Sequence, residues 1–253
     1  MAHRLLFVED GGPRPTLRKA ALPRLTPLTL AHPRRTISGV YIPKHFAETD
    51  SAVLFALLRA HPLGAWVVSA DGQLVVNHIP FLVDPARGEH GTLVGHVARA
   101  NPVWRTLATV APSVVIFQGP EAYISPSWYP AKREHGRVVP TWNYAVVHAH
   151  GQPRAIEDRD WLLQFVRNLT DAHEATQTAP WKVADAPADY IDKNLGAIVG
   201  IEIAISRLEG KWKTSQNHPV ANRKGVVEGL RQQPDDRSAA MARFVERTTD
   251  NED

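Results

Sequence analysis

Tyr123 to Gly151 runs YISPSWYPAKREHGRVVPTWNYAVVHAHG. Its second half decides the fold, because Trp142, Tyr144, Val146, His148 and His150 alternate with Thr141, Asn143, Ala145, Val147 and Ala149. A period of two belongs to a β-strand, whose successive side chains point to opposite faces. The pattern predicts one long strand from Thr141 to about Ile156, with rings and imidazoles on one face and small side chains on the other. In the first half, Pro126, Pro130 and Pro140 set bends, which predicts a loop from Pro126 to Pro140.

Working outward from this strand, the same period recurs. Ala65–Ser69 and Gln73–Val83 flank Asp71-Gly72, a hairpin signal. Thr92–Ala98 predicts a third strand, and Ser113–Gly119 with Glu121–Ser125 predicts two more around Gly119-Pro120. Ala197–Ser206 is expected to be the last. Between them, Thr49 or Asp50 caps a helix with Val53, Leu54, Leu57 and Leu58 on one face. Asn101-Pro102 opens a short helix around Trp104 and Leu107. Further helices are expected over about Asp158–Glu174, Pro187–Asn194, Pro219–Arg231 and Asp235–Arg247. Six or seven strands, mostly joined by hairpins, favour a largely antiparallel barrel with helical additions, a mainly β, α+β class.

Composition narrows the function classes. The 253 residues contain no cysteine, which removes disulfides, thiolate metal sites, iron–sulfur clusters and a cysteine nucleophile. No stretch approaches the roughly 20 apolar residues of a membrane span, and no signal peptide is evident, so a cytoplasmic protein is expected. The net charge of +3 is unevenly spread. Seven Lys or Arg among residues 1–39 face only Glu9 and Asp10, while the remaining chain holds 22 against 24 acids. A nearly neutral body has no broad nucleic-acid footprint. Residues 1–39, with five prolines and no period, are expected to be a poorly ordered extension, and 40–253 the folded domain.

Several enzyme signatures are absent: GxGxxG after a strand, GxxxxGK[ST], GxSxG and HExxH. His148-Ala149-His150 puts two imidazoles on one strand face, but no carboxylate lies at matching spacing, so no metal site is assigned. The Tyr123–Gly151 stretch itself allows two readings. Its rings, hydroxyls and cations suit a planar anionic ligand, by stacking and by holding a phosphate. Tryptophan and tyrosine beside prolines equally fill the edge of a sheet core.

Six blocks, YIPKHF, NHIPF, GHVARANP, YISPSWYPAK, VPTWNYAVVHAHG and KWKTSQNHP, occur in the order found in the PaiB family, which the chain resembles from Val40 to about Val245. The resemblance implies a flavin-reductase-like split β-barrel, a homodimer with FMN at the subunit interface, and a role in negative transcriptional regulation. Two departures stand out. Val40 occupies the place of the family's initiating Met, so the sequence leads us to expect that residues 1–39 are not part of the native chain, which intact mass of the native protein would test. Thr214 and His218 stand where Leu and Arg are expected.

Combined with flavin chemistry, the resemblance implies candidate residues. For the phosphate these are Arg99, Lys132, Lys211 and Lys213, with hydroxyls from Ser125, Ser127, Thr141 and Ser215. For the ring they are Trp128, Tyr129, Trp142 and Tyr144, and for its polar edge Asn77, His78, Asn143, Gln216 and Asn217. No catalytic side chain is assigned, because a flavin can exchange electrons without a side-chain base. A flavin-dependent oxidoreductase is the runner-up. A haem-binding split barrel using His78, His96, His148 or His150 as axial ligand is the third reading. DNA binding is implied by resemblance alone, since Lys211, Lys213, Arg223, Lys224 and Arg231 are the body's one local basic concentration.

Overall fold

The computed structural model describes residues 39–70, 72–107 and 112–250, with side chains as far as Thr248. The expectation for residues 1–38, and Asp71 of the hairpin turn, lie outside the described residues. The strands are β1 (Ala47–Glu48), β2 (Leu63–Ala70), β3 (Gln73–Pro80), β4 (Leu82–Asp84), β5 (Thr92–Ala98), β6 (Ser113–Ile124), β7 (Thr141–Ile156) and β8 (Ile198–Lys213). They form one sheet in the order β3-β2-β6-β7-β8-β5-β4, with β1 against β8, and every pairing is antiparallel. The two end strands, β3 and β4, are consecutive in the chain and separated only by buried Phe81. The sheet therefore curls round on itself without closing its ladder, the incompletely closed antiparallel barrel that the alternation predicts.

β7 runs over the expected Thr141–Ile156, and its small face is the inner one: Asn143, Ala145, Val147 and Ala149 are fully buried. Small residues here leave room in a narrow barrel for Trp66, Phe81 and Phe117, which fill the core with Leu93, Ile201 and Ile203. Two strand expectations are corrected. Ser113–Ile124 is one bent strand, because the ladder to β7 shifts between Gln118 and Glu121 and absorbs Gly119-Pro120 as a bulge. Glycine lets the helix pack close there, since a Cβ on Gly119 would stand 2.8 Å from a terminal methyl of Leu57, which would have to shift. β8 does not end at Ser206 but continues to Lys213. Its register against β7 shifts by one residue after Ile205, so the inward set changes from Ile201, Ile203 and Ile205 to Leu208, Gly210 and Trp212. That change of phase breaks the period, which is why the sequence pattern stops at Ser206.

Among the described residues six helices decorate the sheet: α1 (Ser51–Ala60), α2 (Ala131–Glu134), α3 (Arg159–Glu174), α4 (Ala188–Gly196), α5 (Val220–Arg231) and α6 (Asp236–Asp250). Asp50 caps α1 by accepting from Ala52 N, and Leu54, Leu57 and Leu58 enter the core, while Val53 stays 39% exposed. The Pro126–Pro140 loop contains a 3-10 turn at Pro126–Trp128 as well as α2. α5 and α6 form a second apolar cluster with β6, built from Ile124, Tyr129, Val226, Leu230, Met241 and Val245. Among the described residues no helix is long and apolar enough to cross a membrane.

Candidate functional site

A cleft of about 520 Å³ opens where β7 begins and β8 ends. Thr141, Asn143, Lys213, Ser215 and Asn217 line it together with α2, the Arg137–Pro140 segment, His218 and Asn222. The turn after β8 aims the last of these. Ser215 adopts φ +68, and Gln216 closes the turn by accepting from Thr214 N at 2.7 Å and donating to Trp212 O at 2.6 Å. Ser215 Oγ then accepts from Asn143 Nδ2 at 2.9 Å. Asn143 Oδ1 is buried with no hydrogen-bond partner among the described residues, which leaves an acceptor facing no donor.

The charge of the cleft comes from Lys213. Its Nζ donates to Thr141 Oγ1 and, at 2.7 Å, to Trp142 O. Burial, with help from Lys211, holds its pKa below the ordinary lysine value. Lys211 points to the same sheet face, donating to Tyr41 O at 2.9 Å with its ammonium 5.5 Å from the Tyr144 ring. Among the described residues neither lysine has a carboxylate within salt-bridge distance. Trp142 and Tyr123, paired across β6 and β7, are 53% and 48% exposed and meet edge to face. One end of the outer sheet face therefore carries three rings and two uncompensated ammonium groups.

Beside this end the same face carries an apolar patch, bordered by His148, His150 and Glu209. Leu63, Leu74 and Val76 are exposed, and Ala65, Val67, Val114, Ile116 and Val146 are half-buried beside them on β2, β3, β6 and β7. The register sets Val76, Val67, Val114 and His150 in one row across four strands. An antiparallel sheet face turned to water ordinarily alternates to polar side chains, so this face departs from the pattern of a solvated one.

The remaining candidates are placed as follows. Trp128 lies in a notch on α5, where a Cβ on Gly229 would stand 2.3 Å from its ring and one on Gly225 2.1 Å from its carbonyl oxygen. Tyr129 is 2% exposed in the second core cluster and stacks on His218 at 4.9 Å. Both amide groups of Gln216 serve the turn. Arg99 sits at the far end of β8 from Lys213, with Nε on Gly196 O at 2.8 Å, Nη1 on Glu157 and Nη2 on Ile198 O. Lys132 donates to Ser127 Oγ at 3.0 Å outside the cleft, and Ser125 lines a separate hollow with Trp128 and Trp142. Asn77 accepts from Asn101 Nδ2 at 2.7 Å, its own Nδ2 being buried without a partner, and His78 is exposed. Within one chain the candidates thus divide between the Lys213 cleft, the Ser125–Lys132 segment, and Asn77, His78 and Arg99 apart from both. The basic residues do not gather either: Arg223 is buried in α5 and Arg231 pairs with Glu246.

Sequence reasoning missed the apolar row on β2, β3 and β6, and it missed Glu209, which the β7–β8 register sets opposite His148. At the departures from the family pattern, Thr214 Oγ1 lies 3.0 Å from Thr248 Oγ1, and His218 takes the stacking position on Tyr129. His96, a haem-ligand candidate, is half-buried, edge to face with Phe165, and its Nδ1 is buried and unpartnered among the described residues.

Comparison with known proteins fits this geometry. Residues 40–207 match the family described as "Putative FMN-binding domain". The Protease synthase and sporulation protein PAI 2 of Bacillus subtilis is 30% identical over 207 residues, 82% of this chain and 97% of that protein. Among solved structures, the flavocytochrome Anf3 from Azotobacter vinelandii superposes with a TM-score of 0.50 at 16% identity, over 68% of this chain and 72% of that one. The FAD and heme binding protein from Mycobacterium smegmatis gives 0.50 at 21%, over 66% and 73%. These two establish the shared fold.

Proposed function

The chain belongs to the PaiB-like family of FMN-binding domains, and from that premise we propose that it is a cytoplasmic homodimer holding FMN at the edge of its subunit interface. The apolar outer face of β2, β3, β6 and β7 is the surface the second copy covers. The observation that carries the reading is the coincidence of that face with Trp142, Tyr144, Lys211 and Lys213 at one end.

The residues fit the cofactor. FMN carries a phosphate of about two negative charges, a ring that needs an apolar or aromatic wall, and a pyrimidine edge with a donor between two acceptors. Lys213 and Lys211 supply the charge and Thr141 and Ser215 the hydroxyls. Trp142 and Tyr144, on the outer face of the strand whose start lines the cleft, wall the ring. A cleft of about 520 Å³ is in the range of small-molecule sites, about 300–1,000 Å³. Asn77, His78 and Arg99, which one chain keeps away from Lys213, enter the same site from the second copy in this reading. The flavin, when bound, supplies reversible electron acceptance, and the chain's residues bind and orient it.

The regulatory role implied by the PaiB resemblance is included in the proposal, exerted through the flavin-bearing dimer. Lys211 and Lys213 lie on the sheet face, Arg223 is buried in α5 and Arg231 pairs with Glu246, which favours this over direct reading of a DNA groove by a basic helix. The test is light scattering and visible absorption on the purified protein. A dimer with flavin absorbance, depleted by Trp142→Ala without loss of the dimer, is expected. A monomer that binds FMN as tightly would overturn the interface reading, and salt-dependent retention of promoter DNA by the protein alone would overturn the regulatory one.

A further inference from the structure

On the same sheet face, short of its aromatic end, β7 and β8 bring together three metal-ligating side chains. His148 and His150 project side by side from β7, and Glu209 of β8 stands opposite His148. One nitrogen of each imidazole and one carboxylate oxygen of Glu209 all lie within 4.8 Å of one another. We propose that His148, His150 and Glu209 form a binding site for a borderline divalent first-row cation, of which zinc and cobalt are the practical representatives.

Two imidazoles and a carboxylate are a donor set that such cations favour, and three protein ligands leave further positions for water or a small anion. Spacing of two on one strand puts both imidazoles on one face whatever the rotamer, and the neighbouring strand delivers the carboxylate. Metal–ligand bonds of about 2.0–2.2 Å require donor atoms roughly 3–3.5 Å apart. His150 Nε2 and Glu209 Oε2 are already 2.8 Å apart, so it is chiefly His148 that must turn inward. Its ring lies 6.3 Å from that of His150, edge to face. Burial holds the His148 imidazole below its ordinary pKa. Glu209 pulls the other way, and His150, Arg207 and Lys211 add to the lowering.

The surroundings cut both ways. Arg207 Nη1 donates to Glu209 Oε1, which turns Oε2 toward the imidazoles in the manner of the partners that orient metal ligands. Arg207 and Lys211 are also the cations facing the trio, and they oppose a second positive charge. Glu209 is 14% exposed and His150 22%, so the carboxylate's attraction is little screened. The site uses residues outside the Lys213 cleft and does not depend on the flavin reading.

The experiment uses the full chain, stripped with a chelator and titrated with Zn²⁺ by calorimetry and with Co²⁺ by visible absorption. One saturable equivalent per chain is expected, with the absorption of low-coordinate cobalt. Glu209→Gln and His148→Ala should each weaken it by about tenfold or more, and His173→Ala, on exposed α3, should leave it unchanged. Unsaturable or multiple weak binding by the unaltered chain would overturn the proposal. So would one-equivalent binding that survives Glu209→Gln, a near-isosteric change that preserves the fold should His148→Ala not.

Discussion

At the scale of single residues, Lys213 and Lys132 separate two ways of placing the phosphate. Both were legible in the sequence as cations near hydroxyls, but only Lys213 reaches the cleft, bonded to Thr141 and, among the described residues, with no carboxylate within salt-bridge distance. A charged hydrogen bond to a phosphate is worth about 1.5–3 kcal/mol. Lys213→Gln is therefore expected to weaken FMN about ten- to a hundredfold while changing riboflavin little, and Lys132→Glu to affect both weakly. Fluorescence titration with the two flavins checks this, and a larger loss from Lys132→Glu would move the phosphate to α2. Lys213 also sets a pH dependence. Its pKa is lowered by burial in the free protein, and a bound dianion raises it, so binding takes up a proton above the free pKa. FMN affinity should fall with rising pH, beginning below the ordinary lysine value of 10.5, whereas riboflavin affinity should not. Alternation sorted Trp142 and Tyr144 from Asn143, since period two needs only the strand itself. It could not tell which face is inside, because that depends on the strands beside it.

At the scale of elements, the SPSWYP segment illustrates what a local reading lacks. Its rings look available for a ligand, yet Trp128 and Tyr129 are claimed by α5 and by His218, some ninety residues downstream. The signal lies in α5, where Gly225 and Gly229 clear one side of a helix for Trp128. Gly229→Ala would put a Cβ 2.3 Å from that ring, and forcing a methyl into a packed contact costs about 1–3 kcal/mol. Thermal melts should show a drop of about 2–8 °C, while Gly196→Ala, whose Cβ meets nothing within 4 Å, should leave the melt unchanged. β8 carries a second element-level device. Glu202, 5% exposed, pairs with Arg87 and Arg154 from the β4–β5 connection and from β7. Burial pushes its carboxyl up, but the two guanidinium groups together hold it below the ordinary value of 4.5. A depressed carboxylate stabilises above the unfolded value and loses that contribution as pH falls through the folded one. Denaturant midpoints should therefore decline below about pH 4.5, and Glu202→Gln should lower stability at neutral pH while flattening that acid decline. An undiminished acid slope in the variant would assign it to other carboxylates.

At the scale of the whole molecule, the barrel was legible because hairpin signals and alternation agree from Gly64 to Ser206. The continuation of β8 was not, because a one-residue shift of register reverses which side chains face in. The same limit hid the outer face, since Val67, Val76 and Val114 look like ordinary core positions until the register aligns them outward in one row. Their outward placement is the molecule-wide fact that the proposed homodimer would explain. A stable interface buries about 800 Å² per partner, with its energy concentrated in a desolvated centre. A charge placed at that centre must either be buried unpaired or break the contact. Val67→Glu places one on an inner strand of the row, away from Lys213 and Trp142 and with the Val114 strand between it and His150. It should yield a monomer by light scattering with an unchanged circular dichroism spectrum. It should also release flavin if, as proposed, the group around Lys213 is completed by Asn77, His78 and Arg99 of a second copy. A dimer that persists would place the interface elsewhere. A monomer that keeps its FMN would confine the binding site to the Lys213 cleft of a single chain.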